Sequence, residues 1–126
     1  MAQNLTKLDF LADLHHQIDN HCETVIKHFN PLDDQVLQWR PAPKAWNILQ
    51  CIDHLNLTHD YYLEKIERAL PTAPNHTPDD DRYRPSFWGR IYMYFALNPN
   101  YSFPSPEPVA PQQTIERQVL ATYLAK

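Results

Sequence analysis

Twelve prolines against a single glycine constrain this chain more than any other feature of its 126 residues. Proline locks φ, lacks an N–H and clashes with the preceding turn, so a helix accepts it only in its first turn or beyond its ends. None occurs before Pro31, between Pro43 and Pro71, between Pro85 and Pro99, or after Pro111. Those four windows are where helices can form. The segments between them must carry turns and extended backbone.

Each window has its own pattern. Over 5–29, Leu8, Leu11, Ile18, Cys22, Val25 and Phe29 recur at three- and four-residue steps and line one helix face. Over 47–69, Asn47 can cap the first free N–H groups, and Gln50 can reach back to complete a capping box. In that helix Asp53, Asn56, Asp60, Glu64 and Glu67 form a polar ridge expected to face solvent, with Cys51, Leu55, Thr58, Tyr62 and Ala69 opposite. At 1.5 Å per residue each of these helices is roughly 35 Å long. The window 87–97 is short and aromatic, and 112–125 predicts a last helix with Ile115, Val119, Leu120 and Tyr123 on its apolar side. Residues 31–45, with Leu32, Val36, Leu37 and Trp39, read as a structured crossing. Residues 99–111 read as extended, polyproline-like backbone. An all-α, up-and-down helical bundle in one domain spanning 1–126 is the expectation.

Composition narrows the function. The formal charge is −4 and the basic residues are scattered, which argues against nucleic acid as a partner. No stretch approaches the roughly 20 apolar residues of a membrane span. The opening Met-Ala-Gln-Asn has no basic cluster followed by an apolar run, so a cytoplasmic location is expected. Cys22 and Cys51 have no CxxC neighbour and read as reduced, buried side chains. The acidic run Asp79-Asp80-Asp81 reads as a solvated loop. With one glycine there is no phosphate-cradling loop, and neither a Gly-x-Ser-x-Gly elbow nor a His-Glu-x-x-His helix occurs.

Seven histidines invite a metal reading. On a helical wheel His54 and His59 stand roughly 140° apart, so they do not share one ion unaided. His15 occupies a seam position between Leu11 and Ile18 and reads as a hydrogen-bonded core residue. His21 and Cys22 lie closer in level to His54 if the two long helices pack antiparallel. His16, His28 and His76 read as surface or loop residues.

The run from Arg40 to Leu57, with Trp46, the capping Asn47 and the pair His54-Leu55, resembles the second-helix signature of the DinB-like superfamily. Tyr61, Tyr62, the aromatic window around Trp88 and the proline-rich stretch before Gln112 fit one branch of it. The resemblance implies a four-helix bundle, often dimeric, that binds a divalent metal such as zinc or nickel through three histidines. His54 matches the ligand from the second helix. The other two come, in the family, from a His-x-x-x-His on a late helix, and three protein ligands leave an open position for a bound water or thiol. The implied chemistry is that of a metal-dependent transferase or hydrolase acting with a small-molecule thiol. This sequence departs from the pattern, because no histidine follows His76. The fourth helix is expected to be missing; a shortened reading frame, a fragment, or a protein that has dispensed with the metal would each account for the departure. The alternative expectation is a non-catalytic helical module that associates with itself or with another protein.

Overall fold

A computed structural model describes residues 5–74 and 82–126. The run Asp79-Asp80-Asp81 and His76 lie outside the described residues. The fold is all-α: five α-helices, joined by one π-turn and two 3-10 turns, with no named strand among the described residues. No described helix is long and apolar enough to cross a membrane. The chain divides into two compact units, Ile18–Pro74 with Ser105–Lys126, and Met1–Gln17 with Asn75–Pro104. Helix α1 (Lys7–Thr24) contributes to both.

The unit Ile18–Pro74 with Ser105–Lys126 holds most of the core. The last turns of α1 continue into a π-turn, Val25–Phe29, closed by the Asn30 N–H donating to the Val25 carbonyl at 2.8 Å. A short helix α2 (Asp34–Leu37) follows, its first turn capped by the Asp33 carboxylate, which accepts from the Val36 N–H at 2.9 Å. Helix α3 (Ile48–Ala69) starts at the predicted capping box. The Asn47 side chain accepts from the Gln50 N–H at 2.8 Å, and the Gln50 side chain accepts from the Asn47 N–H at 3.2 Å. It stops where Pro71 imposes a 3-10 turn, Leu70–Thr72. Val25, Leu37, Leu49, Ile52, Ile115 and Leu120 form the core, with Phe29, Leu32, Val119 and Tyr123 packed around it. Burying one such aliphatic side chain is worth about 1.5–3 kcal/mol. Only the first half of α3 takes part: from His59 to its end every residue is exposed.

The face of α3 that is buried is not the one its periodicity suggested. Leu55 and Tyr62 are exposed, Cys51 is exposed, and Asn56 on the supposed solvent ridge is buried. What decides the matter is the proline-rich segment before helix α5 (Gln118–Leu124), which lies on the polar ridge. Its backbone is broken by Pro106, Pro108 and Pro111, so several carbonyls have no helical N–H to meet them. Side chains of α3 supply the donors. Gln50 Nε2 donates to the Gln112 carbonyl of that segment at 3.0 Å, and Asn56 Nδ2 donates to the Val119 carbonyl in the first turn of α5 at 3.1 Å. The half-buried Asp53 carboxylate accepts from the Gln112 N–H at 3.4 Å, so its charge is not simply a surface one. The helix expected over 112–125 is accordingly shorter and begins at Gln118. Residues Gln112 and Gln113 are drawn out of helical geometry by their bonds to Gln50 and to Arg40, whose guanidinium donates to the Gln113 carbonyl at 3.1 Å. Arg117 ties the start of α5 back to the α1–α2 connection, donating to the Leu32 carbonyl and to the Asp34 carboxylate, both at 2.8 Å.

The other unit is built differently. Thr6 caps α1, its hydroxyl accepting from the Asp9 N–H at 3.0 Å. An isolated antiparallel bridge joins Thr6 to Arg82, and the Phe10 and Tyr83 rings stack with centroids 3.8 Å apart. Helix α4 (Phe87–Ala96) fills the aromatic window and is capped by Ser86, whose hydroxyl accepts from the Gly89 N–H at 3.0 Å. Phe95 meets Tyr101 and Phe103 edge-on, at 5.0 and 6.4 Å between centroids. Neither α1 nor α4 contains a fully buried residue. Leu8, Leu11 and Ile18 are therefore exposed rather than core, and His15 is exposed as well. Their spacing makes an amphipathic helix, but no described element covers the stripe.

Candidate functional site around His54

His54 lies two turns into α3, half-buried, where the capping box has set the helix direction. Its ring sits beside Trp46, with centroids 5.2 Å apart and planes inclined at 44°. Nδ1 is 2.7 Å from the Val109 carbonyl oxygen and 3.2 Å from the Ser105 hydroxyl. A carbonyl only accepts, so Nδ1 carries the proton and donates it to Val109. The Ser105 hydroxyl donates to the same carbonyl at 3.4 Å. In the neutral ring the lone pair therefore resides on Nε2.

The turn that presents the Val109 carbonyl is a 3-10 turn, Glu107–Val109, in which Val109 is buried. Together Trp46, His54, Ser105 and Val109 form a closed contact between the entry to α3 and the proline-rich segment. Ser105 and the Val109 carbonyl escaped the sequence reading. Prolines facing a run of side-chain donors (Gln50, His54, Asn56) are the signal that could have found them. Asn56 also has one buried oxygen, Oδ1, without a hydrogen-bond partner among the described groups.

The remaining sequence candidates do not converge on His54. His59 is exposed, with Nδ1 3.5 Å from the Asp60 carboxylate. Lys126 also bonds Asp60 and, with a smaller part from His59, holds its carboxyl below the usual range. Cys51 is exposed at the helix surface, yet partial burial of its thiol raises its pKa, which disfavours the nucleophilic thiolate. Cys22 is half-buried near Tyr123, and burial followed by the influence of Cys22 raises the Tyr123 pKa. A cavity of about 290 Å³ opens beside them, lined by His21, Val25, Phe29, Ile52, Leu55 and Tyr123. His54 is not among its lining residues.

A catalytic zinc centre needs three protein ligands and an open position. Among the described residues no group of three or more His, Cys, Asp or Glu side chains could hold a metal ion. The described donor set, one imidazole, does not fit a metal centre, and no catalytic step is derived through one.

An all-α chain, with a capped second long helix that carries a Trp-Asn entry and a half-buried histidine, defines a helical-bundle class of protein. The profile of the DinB superfamily matches residues 17–126, and the chain belongs to that superfamily. No curated protein and no solved structure matches it significantly.

Proposed function

We propose that this chain works as a non-catalytic helical module of the DinB superfamily that acts by association, with a second copy of itself as the first partner to test. The observation that carries this reading is the exposed apolar stripe of α1, where Leu8, Leu11 and Ile18 are 71%, 59% and 55% exposed. An amphipathic helix gains its stability chiefly by covering such a face, and a partner surface would supply what no described element does. In this reading His54 is a clamp for the Ser105–Val109 segment. Sedimentation velocity at micromolar concentrations tests it: a dimer that weakens in Leu11→Asp supports the reading. A strictly monomeric wild type with no change in the variant overturns self-association.

A second reading, a metal-dependent transferase or hydrolase acting with a small-molecule thiol, is favoured by one feature of His54. Metal-ligating histidines characteristically donate their other ring N–H to a carbonyl or carboxylate, which is what Nδ1 does toward Val109. Zinc or nickel bound through Nε2 would need further ligands from outside the described residues. Elemental analysis of untagged protein separates the readings. Stoichiometric metal that is lost in His54→Asn, which keeps a donor near the Nδ1 position, would make His54 a ligand.

A further inference from the structure

The unit containing α4 holds an open cavity of about 650 Å³, inside the range that small-molecule sites occupy. The stacked pair Phe10 and Tyr83 forms one wall, and Met93, Tyr94 and Leu97 of α4 line another part. One charged side chain borders it, Arg90. Arg90 has no ion-pair partner among the described residues. It also borders a second apolar depression of about 410 Å³, beside Phe87, Ile91 and Phe95.

We propose that this cavity binds a small apolar carboxylate, its hydrocarbon or aromatic body against the Phe10–Tyr83 wall and its carboxylate on the Arg90 guanidinium. The guanidinium of Arg90, the charged group that borders the cavity among the described residues, favours an anion. One guanidinium fork matches one carboxylate in a two-bond arrangement. The apolar walls require the rest of the ligand to be apolar: a bare inorganic anion would leave them wet, and a neutral hydrocarbon would leave the guanidinium without a carboxylate among the described residues. This site is independent of His54 and of the association reading.

Isothermal titration of the full chain with decanoate, and with decanol as its uncharged twin, tests the proposal. Decanoate is expected to bind at one site at least about tenfold more tightly than decanol. Arg90→Met should bring decanoate down to the decanol level and leave decanol binding unchanged, while Arg90→Lys should restore part of the difference. Circular dichroism melts confirm that the variants are folded; if either is not, the wild-type decanoate–decanol comparison alone decides. Equal binding of the two probes overturns the proposal, as does full decanoate affinity in Arg90→Met. Adsorption to phosphatidylglycerol vesicles without binding of free decanoate also overturns it.

Discussion

Helices α3 and α4 begin in the same way and end up in different circumstances. Each starts at a polar side chain that accepts a backbone N–H three residues on, Asn47 to Gln50 and Ser86 to Gly89. Yet α3 buries Leu49 and Ile52 within its first two turns, whereas α4 buries none of its residues despite an almost wholly apolar composition. A cap starts a helix locally; burial requires another element to arrive. For α3 that element is the proline-rich segment with α5, held by side-chain donors to its unpaired carbonyls. For α4 the described chain offers edge-on aromatic contacts and an open cavity.

The sharpest way to break this comparison is to truncate one large side chain in each helix. Leu49→Ala, at a fully buried position, should cost about 2–5 kcal/mol of unfolding free energy. Trp88→Ala, at 75% exposure, should change it by no more than about 0.5 kcal/mol. Urea denaturation followed by circular dichroism measures both, and comparable losses would mean that α4 is packed after all.

Next in size is the clamp. His54→Ala leaves the Val109 carbonyl without its imidazole donor, for an expected loss of about 1–3 kcal/mol. His54→Asn should recover part of it by offering an amide donor. If both variants melt with the wild type, the hydrogen bond at 2.7 Å contributes nothing to stability. A smaller effect is expected from the caps. Asn47→Ala should cost about 1 kcal/mol and be felt in global unfolding, since the cap adjoins the core. Ser86→Ala should register mainly as faster hydrogen exchange at the first turn of α4, because little tertiary structure depends on it.

The smallest expected effect concerns Asp60. Its folded pKa is lowered, chiefly by Lys126, so any stability from the pair is present above the unfolded carboxyl value of 3.8 and is lost as pH falls through the lower folded value. The group is fully exposed, so the effect should sit near the detection limit and disappear in molar salt. A titration of the unfolding midpoint in wild type and Asp60→Asn between pH 5 and the acid limb checks it. An Asp60-dependent acid transition that survives molar salt would show a pair shielded from solvent.

Much of the local structure is legible in the sequence. Proline placement marked where α3 ends, Asn47 and Gln50 marked where it begins, and the aromatic window became α4 almost residue for residue. These are short-range effects, set by φ restriction and by donors within a turn of the chain. The Trp46–Asn47–His54 motif likewise pointed to the superfamily that the profile match identifies. Which faces are buried was another matter. Asn56, read as solvent-facing, is buried against Val119, and of the apolar face read on the first helix Val25 is buried while Leu8 and Leu11 are open. The last helix lost its first residues to bonds from Gln50 and Arg40. Periodicity reports that a helix has two faces, but not which one a distant segment will find. Here the tertiary structure decided, because proline-broken backbone carries carbonyls that must meet donors, and Gln50 and His54 of α3 meet those of Gln112 and Val109.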